Sequence, residues 1–222
     1  MAISKTGVFG GWKTVVAAAA AAVLSMGAHA GTSAAAAGSE GVDVGSKAPN
    51  FTLVDIEGAS HTLSEYVEDG KIVVLEWYNP GCPFVKKHYA KADSRTMNTV
   101  HKEFKDDGVV WLRINSGAPG KQGHGLEMNK KMAKEWDLTG PVLVDESGKV
   151  GKMFGAKRTP EMFIVGPDGK VHYHGAIDDN KSAKLKGGEK NFVRQALREI
   201  LAGETVTNAQ TKPYGCSVKY AG

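Results

Sequence analysis

The chain has 222 residues, with 28 basic and 24 acidic side chains and a net charge of +4. Lys5 and Lys13 lie in the first thirty residues, so the rest of the chain has a net charge of only +2. That charge is too small to indicate a nucleic acid or a membrane surface as the partner. The length after residue 44 is sufficient for one well-buried domain.

The first thirty residues have the pattern of an export signal. Positive charge from Lys5 and Lys13 precedes an alanine-rich apolar segment, residues 15–24, and a small-x-small cleavage site follows at residues 28–30. The apolar segment is too short for a permanent membrane span. We therefore expect residues 1–30 to be a cleaved signal peptide and the mature protein to be periplasmic or secreted. Residues 31–44, rich in Gly, Ala and Ser, are predicted to be a flexible lead-in, and residues 45–222 a single domain.

Residues 71–89, KIVVLEWYNPGCPFVKKHY, contain the most informative pattern of the chain. A β-branched apolar run predicts a buried strand, and Asn79-Pro80-Gly81 ends it. Cys82 follows, with Pro83 at the first position of a predicted helix. A helix N-terminus stabilises an anion, so the pattern predicts a reactive thiolate at Cys82. The alternative is a buried cysteine that acts only as a small hydrophobic residue.

The rest of the chain alternates between predicted helices and strands. The helix after Cys82 is expected to continue to about Phe104, and a strand over residues 109–114 then completes a parallel βαβ unit. The glycine-rich residues 117–125 predict a mobile loop. The remaining predictions are a helix over residues 126–136, a strand over 142–144, a short helix over 147–154, a hairpin of strands 162–165 and 170–174, and a last helix capped by Asn191.

Three motifs resemble the thioredoxin fold, and in particular its peroxiredoxin-like (redoxin, AhpC/TSA-type) branch. They are the A-P-x-F-x-L opening at residues 48–53, W-Y-N-P-G-C-P at 77–83 and G-C-S-V-K-Y at 215–220. The resemblance implies an α/β fold with a central mixed β-sheet flanked by helices. Two departures stand out. Val85 replaces the second cysteine of a thioredoxin C-x-x-C motif, and Leu75 and Asn79 replace the Pro and Thr of a peroxiredoxin.

The resemblance implies thiol-dependent redox chemistry at Cys82, with a peroxiredoxin-like peroxidase favoured. The thiolate would attack a peroxide, and an external dithiol such as a thioredoxin-like protein would supply the reducing equivalents. Cys216, on a tail predicted to be flexible, would resolve the oxidised Cys82. A permanent Cys82–Cys216 disulfide and two unpaired thiols are the alternatives for the cysteines. A thiol–disulfide reductase is the alternative enzyme.

Further candidate site residues lie close to Cys82 or to Pro160, and the resemblance implies the roles of Glu76 and of the Thr159–Pro160 segment. Glu76 would be a buried acid that relays a proton behind Cys82, or else a strand residue that reaches solvent. Asn79 would donate a hydrogen bond to a bound oxygen. Arg158 would stabilise a thiolate or a peroxide oxygen, although a solvated loop arginine is the alternative. The Thr159–Pro160 bond is expected to be cis and to face Cys82, with the backbone of Thr159 available to an extended substrate.

A non-enzymatic metal-handling module is the hypothesis from another functional class. His172 and His174 share one face of a predicted strand, and Cys82 with His88 is similar to the ligand pairs of copper chaperones of this fold. Such chaperones have a second cysteine near the first, and Val85 and Lys86 do not provide one. We therefore expect neither a metal nor another cofactor.

Overall fold

The structure, a computed structural model, describes residues 41–91 and 96–222. The predicted signal peptide and most of the predicted lead-in lie outside the described residues. At the described end of the lead-in, Val42 and Val44 pack against the hydrophobic core, and the Val42 N–H donates to Phe154 O at 3.3 Å. Residues 42–44 therefore belong to the packed domain rather than to a flexible lead-in.

Within these residues the helices and strands follow one another in a mostly alternating order. They are β1 (Thr52–Asp55), β2 (Ser60–Thr62), α1 (Leu63–Glu68), β3 (Ile72–Trp77), α2 (Pro83–Tyr89), α3 (Thr96–Phe104), β4 (Val109–Asn115), α4 (Leu126–Glu135), β5 (Val142–Val144), α5 (Lys149–Phe154), β6 (Arg158–Thr159), β7 (Glu161–Val165), β8 (Val171–Gly175), α6 (Phe192–Leu201) and β9 (Cys216–Ser217). In the described residues, no helix is long and apolar enough to cross a membrane.

Seven of the strands form one mixed sheet in the order β2-β1-β5-β4-β3-β7-β8. The pairs β3–β4 and β4–β5 are parallel, whereas β1–β2, β1–β5, β3–β7 and β7–β8 are antiparallel. Strand β3 is paired on both edges, and all six of its residues are buried. Its apolar sequence matches this position, because a strand covered on both faces needs apolar side chains on both.

Two apolar layers cover the sheet. On one face, Val74 and Tyr78 pack with residues of α2, α3 and α6, among them Val85, Val100 and Leu197. On the other face, side chains of α1 and α5 pack against alternate residues of β3 and β4. This arrangement of a mixed sheet between two helical layers is the predicted fold class.

Most predicted elements are confirmed, and one is wrong. Helix α2 ends at Tyr89 and α3 begins at Thr96, so the described residues do not form the single helix predicted from Cys82 to Phe104. The sequence between them contains Asp93 and Ser94. These residue types compete for backbone hydrogen bonds and favour helix caps over helix interiors.

Candidate active site

Cys82 lies at the carboxyl end of the central strand, where the chain turns from β3 into α2. The Cys82 N–H donates to Asn79 O at 3.0 Å, and the residue takes an extended conformation as the N-cap of α2. Its side chain is completely buried. The Sγ atom lies 3.0 Å from Thr159 O and 2.8 Å from Cys216 Sγ.

Cys216 comes from the far end of the chain and is placed by a second, two-stranded sheet. Strand β9 pairs antiparallel with β6, which puts Cys216 opposite Thr159. Both cysteines are free thiols, and Cys216 is only partly buried. Burial, together with the contact with Cys82, raises the pKa of the Cys216 thiol to about 11. At neutral pH Cys216 therefore keeps its proton.

The segment that presents Thr159 to both sulfurs is held by Glu161. The Thr159–Pro160 bond is cis, as predicted. Glu161 is buried, and its Oε2 accepts the N–H groups of Lys157 and Arg158, each at 2.7 Å. Its Oε1 is 2.8 Å from His174 Nε2. Glu161 therefore satisfies two backbone donors that precede the cis bond and fixes the loop beside Cys82.

The C-terminal tail is anchored on both sides of Cys216, which corrects the expectation of a flexible tail. Tyr214 is buried and donates its hydroxyl hydrogen to Asp178 Oδ1. Beyond Cys216, Val218 is buried in the core, and the Tyr220 hydroxyl donates to Ala156 O at 2.7 Å. Cys216 is thus held next to Cys82 by packing and does not have to travel to meet it.

Tyr214 is anchored by a buried charged cluster, in which Lys87 and His88 of α2 meet Asp178. Lys87 Nζ is 3.3 Å from Asp178 Oδ1 and 4.5 Å from the centre of the Tyr214 ring. His88 Nε2 is 3.4 Å from the Tyr214 hydroxyl and 3.8 Å from Asp178 Oδ2. Burial raises the pKa of Asp178 and lowers that of Lys87. The cluster connects the helix that begins at Cys82 to the tail that carries Cys216.

Glu76 is completely buried, so the alternative of a side chain that reaches solvent is excluded. Its Oε2 accepts from the Tyr89 hydroxyl at 2.6 Å and from Trp111 Nε1 at 2.9 Å, and it lies 3.6 Å from Arg113 Nε. Its Oε1 has no hydrogen-bond partner among the described residues. Burial raises the pKa of Glu76. None of these bonds reaches Cys82, so the proton-relay role remains a prediction.

Comparison with known proteins agrees with this geometry. A model of the AhpC/TSA family matches residues 44–174, which is more than half of the chain. The chain belongs to the AhpC/TSA family. It is 31% identical over 131 residues to the thiol-disulfide oxidoreductase ResA of Geobacillus thermodenitrificans, covering 59% of this chain and 67% of that protein.

Two solved structures support the fold. An uncharacterized conserved protein from Geobacillus kaustophilus is 29% identical and has a TM-score of 0.68 over 81% of this chain and 93% of its own. A protein from Chlorobium tepidum, proposed to be the thiol:disulfide interchange protein DsbE, is 22% identical with a TM-score of 0.54, covering 72% and 97%. The fold of this AhpC/TSA protein is thioredoxin-like, and its chemistry is thiol-dependent oxidoreduction. The family match ends at residue 174, so the tail with Cys216 lies outside it.

Asn79 and Arg158, the two remaining polar candidates, lie in different surroundings. The Asn79 amide is committed to the turn, because its Nδ2 donates to Gln122 O at 3.0 Å and its Oδ1 accepts the Gly81 N–H at 2.8 Å. The bond to Gln122 O also fastens the glycine-rich loop 117–125, which was predicted to be mobile. Arg158 is exposed on β6, and its charge acts to lower the pKa of Cys216. The structure thus brings Arg158 near Cys216, while Asn79 stabilises the backbone around Cys82.

The histidines within the described residues have carboxylate or hydroxyl partners. His172 Nε2 lies 3.0 Å from Asp168, and His174 is the partner of Glu161. His88 Nδ1 lies 2.8 Å from Thr96 Oγ1. In the part of the chain that the structure describes, no group of three or more His, Cys, Asp or Glu side chains could hold a metal ion.

The sequence reasoning missed several residues that build this site. Glu161 and Tyr214 position the two backbones around the sulfurs, and both stand next to motifs that had been recognised, since Glu161 follows Pro160 and Tyr214 precedes Gly215 by one residue. Arg113 is the partner of Glu76. A charged residue in each of two adjacent apolar strands was a signal that the two charges pair, because such charges are buried only when compensated.

Proposed function

We propose that this AhpC/TSA protein is a thiol–disulfide oxidoreductase whose redox couple is Cys82 and Cys216. The observation that carries the proposal is the 2.8 Å separation of the two Sγ atoms, both of which are free thiols. A disulfide bond is about 2.05 Å long, so closure requires a movement of under about 1 Å. The couple takes the place of a C-x-x-C pair, whose second cysteine is replaced by Val85.

The couple would exchange two electrons with a protein or peptide disulfide. In the reduced form the two thiols supply two electrons and two protons, and the product is the Cys82–Cys216 disulfide plus a reduced substrate dithiol. An external dithiol partner, of the thioredoxin type, would then return the couple to its reduced form. Support for disulfide chemistry comes from the relatives that are named thiol-disulfide oxidoreductases.

The peroxidase interpretation favoured from the sequence has less support than disulfide exchange. The Asn79 amide, which was expected to donate to a bound oxygen, is engaged by Gln122 O and the Gly81 N–H. The Pro and Thr of peroxiredoxins are replaced by Leu75 and Asn79. We retain peroxide reduction as the competing outcome of the experiment below. Export of the protein, indicated by residues 1–30, would place the couple in a compartment where disulfides persist.

The test measures the couple and its turnover with the same samples. The reduced wild-type protein is equilibrated in glutathione redox buffers, and its intact mass and unreduced peptide map are recorded. We expect a loss of two hydrogens and a linked Cys82–Cys216 peptide. We also expect dithiothreitol-driven reduction of insulin to be accelerated by the wild type and to return to the uncatalysed background in Cys82→Ser and in Cys216→Ser.

The control is Ser217→Ala, which changes the exposed neighbour of Cys216 on the same strand and should keep wild-type turnover. A parallel assay follows hydrogen peroxide with the same dithiol. If insulin reduction is unchanged in Cys216→Ser, or if peroxide turnover exceeds disulfide turnover, the proposed function is wrong.

A further inference from the structure

The two sulfurs of the couple differ in how a second molecule could reach them. Cys82 is completely buried, whereas Cys216 is partly exposed. The chain's own tail lies against Cys82, because β9 pairs with β6 and Cys216 Sγ is in contact with Cys82 Sγ. A groove of about 920 Å³ beside α2 is lined by Pro83 and Lys86 but not by Cys82.

The residues around the tail keep this cover in place. The Phe84 and Tyr214 rings lie 6.1 Å apart, and Tyr214 is bonded to Asp178. The Val218 N–H donates to Lys157 O at 3.2 Å, which continues the pairing beyond β9. A partner that reached Cys82 directly would have to displace a strand that is anchored at both ends.

We propose that thiols of a partner enter the redox couple at Cys216 and that Cys82 is the buried sulfur released as a thiolate when the disulfide opens. This rests on the proposed function. In a protein of this fold the cysteine at the helix start would be the expected point of entry, so the tail reverses the order of the two sulfurs.

The reaction begins from the Cys82–Cys216 disulfide. A partner thiolate attacks Cys216 Sγ, the bond to Cys82 breaks, and its electron pair remains on Cys82 as a thiolate. In the mixed disulfide, the partner's first sulfur is bonded to Cys216. A second thiolate of the partner then attacks that first sulfur and releases Cys216. The partner dithiol becomes a disulfide, and its two electrons and two protons pass to Cys82 and Cys216.

The acidity of Cys216 favours the same direction of attack. Attack on Cys82 would expel Cys216, and burial raises the pKa of that thiol. A thiol with a higher pKa is the slower leaving group in disulfide exchange. Attack on Cys216 avoids that leaving group and also takes the accessible route.

The test compares the two sulfurs one at a time, with glutathione disulfide as the probe and intact mass as the readout. Cys82→Ser removes the neighbouring sulfur that contributes to the raised pKa of Cys216. In this variant Cys216 should be glutathionylated at least about tenfold faster than Cys82 in Cys216→Ser, since access governs which sulfur exchanges. In concentrated guanidinium chloride the difference should disappear. Adding Tyr214→Phe to Cys216→Ser, which removes the bond to Asp178, should accelerate the reaction of Cys82.

A wild-type experiment covers the case in which a serine variant fails to fold. The oxidised protein is mixed with reduced glutathione, quenched with acid and digested, and the adduct is mapped. Glutathione on Cys216 supports the proposal, and glutathione on Cys82 overturns it, as does native Cys82 in Cys216→Ser reacting as fast as Cys216 in Cys82→Ser. If no Cys82–Cys216 disulfide forms in the wild type, the proposed function itself fails.

Discussion

Two buried pairs of oppositely charged residues lie on either side of α2. Glu76 and Arg113 lie behind the helix within the core, and Lys87 and Asp178 lie on the side of the tail. A buried charge is stable only with a partner, and removing one partner of such a pair is strongly destabilising. Lys87 and Asp178 also contact Tyr214. The position of the tail therefore depends on charged residues that belong to no recognised sequence motif.

His88 gives this cluster a measurable dependence on pH. Burial and the adjacent Lys87 charge lower its pKa from 6.5 to about 3. Between those values the unfolded chain binds a proton at His88 and the folded chain does not, so stability falls as the pH falls. We expect the free energy of unfolding, from urea titration, to drop by about 2 kcal/mol between pH 7 and pH 5 through this residue.

The variant His88→Gln should remove that part of the pH slope. Thr96→Val is the matched control, because it deletes the hydroxyl that contacts His88 Nδ1 without changing a titrating group. It should lower stability by a similar amount at both pH values. A His88→Gln variant with the slope of the parent protein would show that His88 is not responsible.

Among the elements, the pairing of β6 with β9 decides whether the two cysteines meet. Gly215 makes the close approach feasible, because it has a φ of +113° and a Cβ at this position would collide with Thr159 O. Both features exclude a side chain, the first through backbone strain and the second through overlap with backbone that cannot move aside.

We therefore expect Gly215→Ala to shift β9 away from β6. Stability should fall by about 1–3 kcal/mol, the fraction of Cys82–Cys216 disulfide in a given glutathione buffer should fall, and Cys82 should become open to alkylation. The readouts are urea titration and intact mass after iodoacetamide.

Gly125→Ala is the control for backbone strain alone. Gly125 has a similar φ of +107°, but nothing lies within 4 Å of an added Cβ. It should lower stability without exposing Cys82. Equal alkylation of Cys82 in the two variants would mean that the collision with Thr159 O does not position the tail.

At the scale of the whole molecule, the family domain and the tail have separate contributions. The AhpC/TSA match over residues 44–174 supplies the sheet, the turn that carries Cys82 and the segment that contains Thr159. Residues after it supply α6, Asp178 and the tail that completes the couple. Neither part contains both sulfurs, so the proposed redox couple requires both parts to be folded together.

Export is the prediction at this scale, motivated by the charged start, the alanine-rich core and the site at residues 28–30. When the full gene is expressed in a bacterium with a periplasm, N-terminal sequencing of the periplasmic protein should begin near Gly31. Lys5→Glu with Lys13→Glu should reduce the exported fraction, because the positive start of a signal is removed. An intact chain that begins at Met1 in the periplasmic fraction would contradict the prediction.

The sequence by itself determined the central strand and the position of Cys82 at the start of a helix, because these depend on local apolar pattern and on Pro and Gly. Through family resemblance it also indicated the fold class and the cis bond at Pro160. It did not determine the break between α2 and α3, the partners of Glu76 or the anchored tail. Those depend on contacts between residues far apart in the chain, such as Tyr214 with Asp178 and Cys216 with Thr159. Only the tertiary structure decided that Cys82 is the covered sulfur and Cys216 the accessible one, because burial is a property of packing and not of sequence spacing.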